Sequence, residues 1–210
     1  MDNLLIQALK EFPLIQPGDN LSSIILESCK HNKFILEDDD IIVIAQKVVS
    51  KSENRYKNLL EIKPSKQATN LALSLNRDPA FIQLILNESN EIISTDKNVI
   101  IVEHKLGFIN INAGIDRSNI PENKNLVLLL PEDPSSSSQK IYEDISSKIK
   151  KNISVIITDS MTRPYRSGVM NFALASTNIQ SLIDLKGEKD IYGNILQATE
   201  IAIADELAAA

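Results

Sequence analysis

The segment Val155-Ile-Ile-Thr-Asp-Ser-Met-Thr-Arg-Pro-Tyr-Arg-Ser-Gly168 concentrates more chemistry than any other stretch of the chain. Its apolar start reads as a strand that delivers Asp159 and Ser160 at its carboxyl end, where ligands of α/β sheets gather. A carboxylate and a hydroxyl are hard oxygen donors suited to magnesium or manganese. Arg163 and Arg166 follow, with Pro164 restricting the backbone between them, and planar guanidinium groups pair well with phosphate or carboxylate oxygens. Either arginine alone is better explained by pairing with surface acids; the whole combination favours a site.

Two further segments could complement it. From His104 to Asn119 an alternating strand runs into the small-residue turn Ala113-Gly114, which presents Asp116, Ser118 and Asn119 together. That loop can add a second carboxylate to a metal site, and an Asx-rich turn accounts for it equally well. In Gln46-Lys-Val-Val-Ser-Lys51, Lys47 and Lys51 lie four apart, so they share a helical face or flank one loop. An ammonium there can neutralise a nucleotide phosphate, although solvated lysines are the commoner outcome. His31 and His104 are isolated and read as surface or boundary residues without a catalytic task, and Cys29 reads as core.

Composition removes several classes of function. The 210 residues, 43% hydrophobic and 24% charged, suit one ordinary globular domain or two small ones. Twenty-eight acids against twenty-two bases leave a net charge of -6, so no broad field attracts DNA or RNA. One cysteine and two histidines cannot make an internal disulfide or a Cys/His zinc cluster, which points to a reducing compartment. No apolar run approaches the roughly 18 residues that span a bilayer, and Met1 begins no secretory signal, so a soluble cytoplasmic protein is expected. None of the six glycines falls in G-x-G-x-x-G or G-x-x-x-x-G-K-[ST]; a nucleotide must be held another way.

The elements that must position these residues follow from spacing. Asp19 or Asn20 can cap a helix over 21–31, and Ile41 to Ala45 reads as a buried strand. Ala68, Leu71, Ala72 and Leu75 predict one helix, and the Asp78-Pro79 cap predicts another directly after it. Val99–Val102, Phe108–Ile111, Leu126–Leu130 and Ile153–Thr158 read as strands. Pro131 to Ser138 reads as a loop before a helix carrying Ile141, Ile145 and Ile149, and residues 195–210 as a largely buried helix. Alternating helices and strands favour a mixed α/β or α+β architecture.

Taken in order, Phe12-Pro-Leu-Ile15, Ile44-Ala-Gln-Lys-Val-Val-Ser-Lys51, Asn112-Ala-Gly-Ile-Asp-Arg-Ser-Asn119, the Thr158-to-Gly168 string, Gly187-Glu-Lys-Asp-Ile-Tyr-Gly193 and Ala204-Asp-Glu-Leu-Ala208 resemble the coenzyme F420-0:gamma-glutamyl ligase family. The resemblance covers nearly the whole chain. It implies an unusual α/β fold forming an intertwined homodimer, and a reaction that joins L-glutamate to F420-0 using GTP and divalent metal ions, Mg2+ or Mn2+, two of them expected. Carried over by motif, Asp116 and Asp159 would be metal ligands, and Ser160 would approach a second metal. Phe12, Pro13, Leu14, Ile15, Gln46, Lys47, Lys51 and Asn119 would line the GTP site. Arg163 and Arg166 would hold remaining oxygens beside the two aspartates.

These residue types agree with ligase chemistry. A carboxylate is a poor electrophile; once phosphorylated, its acyl phosphate can be attacked by the amine of glutamate, with no covalent enzyme nucleophile. Thr162 stands where the family usually has glycine, and Ala175 to Gln180 replaces a run of small residues. The chain is expected to be a single domain over 1–210 that stops before the family's C-terminal segment. Two other functions remain open from the sequence: a related ligase acting on a folate or another carboxylate, and a nucleotide-binding relative without turnover.

Overall fold

Asn20 starts the first helix: its side-chain oxygen accepts the N–H of Ser23 at 2.9 Å, pairing a donor that the first turn leaves open. This helix, α1, runs over Leu21–His31, as its apolar spacing predicts. The computed structural model describes residues 4–96 and 99–210. After α1 come β1 (Ile41–Ala45), α2 (Gln46–Ser52), β2 (Tyr56–Asn58), α3 (Lys66–Leu75), α4 (Pro79–Asn87), β3 (Ser89–Asp96), β4 (Val99–His104), β5 (Ile109–Ile111) and β6 (Leu126–Leu128). The rest comprises α5 (Pro134–Ile149), β7 (Ser154–Arg163), β8 (Arg166–Thr177), β9 (Ile183–Asp184), β10 (Glu200–Ile201) and α6 (Ile203–Ala209). The class is mixed α/β, as the alternation of elements indicates.

The chain forms two compact units. The first holds the chain through Glu53 with Pro131–Ser160 and Met170–Ala210; the second holds Asn54–Leu130 and Met161–Val169.

In the first unit β1 pairs in parallel with β7, Ile41 opposite Ser154 through Ala45 opposite Thr158, and the strand order is β1-β7-β8. Ile153, Val155, Ile156 and Ile157 are buried, and Ile25 of α1, Ile44, Val49 and Ile145 of α5 share the core with Ile153, Val155 and Ile157. Cys29 lies in this core as expected. The buried strand expected over 41–45 is corrected: β1 is an edge strand, so only Ile44 is buried and Val43 is 47% exposed.

Three other expectations change here. The strand predicted to stop at Thr158 continues to Arg163, because the chain folds back as β8 and extends the sheet; Asp159 and Ser160 therefore lie inside a strand. Ser135–Ser138 forms the first turn of α5 instead of a loop, since Asp133 Oδ1 accepts the N–H of Ser136 at 2.9 Å and Pro134 occupies the first helical position. The buried helix expected over 195–210 shrinks to the seven residues of α6, with Ala204 and Ala208 alone fully buried, and residues 200–201 pair with β9. Two alanines offer too little apolar surface to bury a longer helix.

The second unit packs α3 and α4 with the antiparallel sheet β3-β4-β5 and the pair β2-β6. Asp78 caps α4 as predicted, its Oδ1 accepting the N–H groups of Ala80 at 2.7 Å and Phe81 at 3.1 Å. Phe81, Ile82, Ile85, Ile100, Val102 and Val127 form its core.

Candidate active site

The pairing of Ala45 with Thr158 brings two of the sequence segments to one level of the first unit's sheet. Gln46 leaves β1 directly after that rung, and Asp159 follows it on β7. The carboxyl end of a parallel strand, flanked by the start of a helix, is where α/β sheets place ligands. Here β1 ends and α2 begins, so the backbone of Asp159 follows the rung after which the helix carrying the two lysines starts. Asp159 is only 8% exposed, whereas Ser160 is exposed.

The sequence left open whether Lys47 and Lys51 share a helix face, and α2 puts both on it, half-buried and one turn apart. Val49 and Ser50 take the inward face. Gln46 is buried, and its Oε1 accepts the Ser50 hydroxyl at 2.9 Å, which fixes the first turn of α2 from inside.

The residues 12–15 divide by direction. Ile15 is 5% exposed and belongs to the core with Leu21, Ile25 and Val49, and Phe12 packs half-buried against the same cluster. Pro13 and Leu14 point outward, Leu14 at 85% exposure. Ile15 thus offers a ligand its backbone and not its side chain.

In the second unit Asn112, Ala113 and Gly114 all have left-handed backbone, with φ of 51°, 53° and 64°. Glycine and asparagine visit that region readily, so the strain falls on Ala113, and a Cβ on Gly114 would lie 3.0 Å from Leu130 Cδ1. The turn is followed by a backbone bridge: Asp116 N–H donates to the Leu128 carbonyl and Leu128 N–H to that of Asp116, both at 2.9 Å. Asp116 is half-buried, while Ser118 and Asn119 are exposed, Asn119 with φ 56°. Inside the turn, Asn112 Oδ1 is buried without a hydrogen-bond partner. Strain and an unmatched polar atom in one loop mark it as built for more than packing.

Arg163 ends β7, half-buried, with its Nη1 also buried and unpartnered; Arg166 opens β8 in solvent. Arg163, Arg166, Asp116 and Asn119 belong to the second unit, and Asp159, Ser160, Gln46, Lys47 and Lys51 to the first.

His104 corrects the reading of a surface or boundary residue. It is 3% exposed, stacks on Phe108 at 5.2 Å, and accepts the Leu106 N–H on Nδ1 at 3.0 Å. Burial, then the charges of Lys105 and Arg55, push its pKa down to about 4. Its place on the inward face of β4 follows from the alternating burial of that strand, a period the apolar residues Ile100 and Val102 already set. His31, by contrast, is exposed and pairs with Glu11 at 3.0 Å.

Two features escaped the sequence. A cavity of about 330 Å³ opens in the first unit between Gly18–Ser22, the end of α2 and α5, and includes none of the predicted site residues. In the second unit the guanidinium groups of Arg77 and Arg117 both stand over the ring of Phe81. Only the Asp78-Pro79 cap, which fixes Phe81 in the first turn of α4, hinted at that arrangement.

Among the described residues, no three His, Cys, Asp or Glu side chains cluster closely enough to hold a metal between them. No helix among them is long and apolar enough to cross a membrane.

Comparison with known proteins adds a family. The family model described as F420-0:Gamma-glutamyl ligase matches residues 10–210. A curated relative, the coenzyme F420:L-glutamate ligase of Methanothermobacter thermautotrophicus, is 40% identical over 198 residues, covering 94% of this chain and 78% of its own. The proteins of the same name from Methanocaldococcus jannaschii and Archaeoglobus fulgidus are 42% and 37% identical, covering 94% of this chain in each case and 77% and 76% of their own.

Proposed function

Because this chain belongs to the F420-0:gamma-glutamyl ligase family, we propose that it is a GTP-dependent ligase that joins L-glutamate to F420-0, and to the product of the first addition, through an acyl phosphate. The observation that carries this reading is the register of β1 and β7, which sets Asp159 beside the start of the lysine-bearing helix. A buried aspartate one position past the rung where a lysine-bearing helix begins suits a site that handles phosphates and the metal ions accompanying them.

In the proposed reaction a carboxylate oxygen of the acceptor attacks the γ-phosphorus of GTP, and GDP leaves. The amine of L-glutamate then attacks the acyl carbon, phosphate departs, and the nitrogen loses its proton as the amide forms. Lys47 and Lys51 would neutralise the phosphates from one face of α2, with Phe12, Pro13, Leu14, the Ile15 backbone and Gln46 around the nucleotide. Arg163, whose Nη1 is buried and unpartnered, would receive an oxygen of the reacting groups, and Arg166 would act beside it.

Magnesium or manganese fits the donors present, because Asp116, Asp159 and Ser160 supply only hard oxygens, and neither histidine lies beside them in the sequence. When bound, the ions would neutralise charge on the phosphates during transfer. The chain would work as a homodimer, which sedimentation of the purified protein checks.

The test is mass spectrometry of a reaction containing the chain, F420-0, L-glutamate, GTP and Mg2+ or Mn2+. A glutamyl increment that requires both GTP and metal is expected, and Asp159→Asn should lower its rate about 100-fold or more while the circular dichroism of the fold is kept. No increment, with GTP intact and the protein folded, would overturn the reading.

A further inference from the structure

Phe81 is buried to 2%, yet two cations meet its ring: Arg77 Cζ lies 5.2 Å and Arg117 Cζ 4.8 Å from the centroid. The two guanidinium groups are therefore within about 10 Å of one another, at a ring whose face attracts cations. All three residues belong to the second unit.

Each is held from its own side. Asn76 ends α3 in the left-handed conformation, and the Arg77 N–H donates back to the Ala72 carbonyl at 2.9 Å, so Arg77 leaves the helix in a fixed direction. Asp78, next in the chain, binds the N–H of Phe81 and sets the ring in the first turn of α4. Arg117 follows Asp116, whose backbone is tied to Leu128 on both its N–H and its carbonyl. Among the described residues Arg117 forms no hydrogen bond or ion pair; its side chain contacts the ring and nothing of opposite charge.

A guanidinium group resting on a ring spends its face on that contact and keeps its in-plane N–H donors, the geometry that grips a carboxylate or phosphate. The ring thus orients the arginine before a ligand arrives, which lowers the ordering cost of binding. We propose that Arg117, oriented on the Phe81 ring, forms an oxyanion-recognition site that holds a carboxylate or phosphate of one of the two amide-forming reactants. The assignment rests on the ligase reading above, and it places a specificity-determining residue directly after Asp116.

Steady-state kinetics of the unsubstituted chain, Arg117→Ala and Arg117→Lys, with GTP, F420-0 and L-glutamate varied in turn, test it. Arg117→Ala should raise the KM of one reactant, F420-0 or L-glutamate, about tenfold or more, leaving the KM for GTP and the melting temperature nearly unchanged. Arg117→Lys should recover part of the loss, because it restores charge without the planar fork. Which KM moves tells a phosphodiester-bearing acceptor from the amino acid. A KM unchanged for both, or a rise for GTP alone, overturns the inference while the ligase reading stands. Absence of glutamyl addition by the unsubstituted chain removes the reading and the inference together.

Discussion

The Nδ1 atom of His104 accepts the backbone N–H of Leu106 at 3.0 Å, so the ring proton sits on Nε2, which is buried without a partner. The ring is thereby committed to its neutral form inside the second unit. With a pKa pushed down to about 4, the folded chain refuses a proton that the unfolded chain accepts near 6.5. The stabilising contribution is therefore complete above the unfolded value and is lost as pH falls from about 6.5 toward 4.

Urea unfolding at pH 7, 6 and 5 should show this loss, at up to about 1.4 kcal/mol per pH unit from His104 alone. His104→Gln should unfold more easily at pH 7 and flatten the slope between pH 6.5 and 5. Equal slopes for the two proteins would remove His104 from the acid response.

Gly114 and Gly18 both have positive φ, 64° and 88°, and differ in what surrounds them. A methyl group at Gly18 meets nothing within 4 Å, whereas one at Gly114 meets Leu130 Cδ1 at 3.0 Å and Cγ at 3.2 Å. Gly18→Ala should cost about 1 kcal/mol from backbone strain, and Gly114→Ala about 2–3 kcal/mol because the Leu130 side chain must also move. Denaturant midpoints of the two variants check the order; equal losses would mean that Leu130 yields freely.

Lys51→Ala should raise the KM for GTP about tenfold, with a smaller change in kcat and none in the KM for L-glutamate. Lys51 is half-buried on α2, one turn from Lys47 on the same helical face. An unchanged KM for GTP would return Lys51 to the solvated surface.

Much of the local structure was readable from residue types. Asn20, Asp78 and the helical spacing of α1, α3 and α4 gave their elements without ambiguity, since caps and apolar stripes act within one turn of the chain. β3 escaped notice because Ser-Asn-Glu-Ile-Ile-Ser-Thr-Asp has no apolar period of its own; pairing with β4 holds it. β8 was missed for a related reason: six exposed residues precede its first buried one, Phe172.

The same division runs through the candidate site. Composition and motifs determined which groups are available: two aspartates, a serine, two lysines, two arginines, and no usable zinc or disulfide set. They also determined the family, because the strings around Asp116 and Asp159 are specific in combination. Tertiary structure decided what each group faces. Parallel pairing of Ala45 with Thr158 joined segments more than a hundred residues apart; packing within the first unit turned the Ile15 side chain into core, and packing within the second sank His104 beneath Phe108 and drew Arg77 and Arg117 onto one ring. Side-chain periodicity carries information over a few residues, whereas register and burial arise from contacts between distant parts of the chain, and those form only when the whole core is assembled.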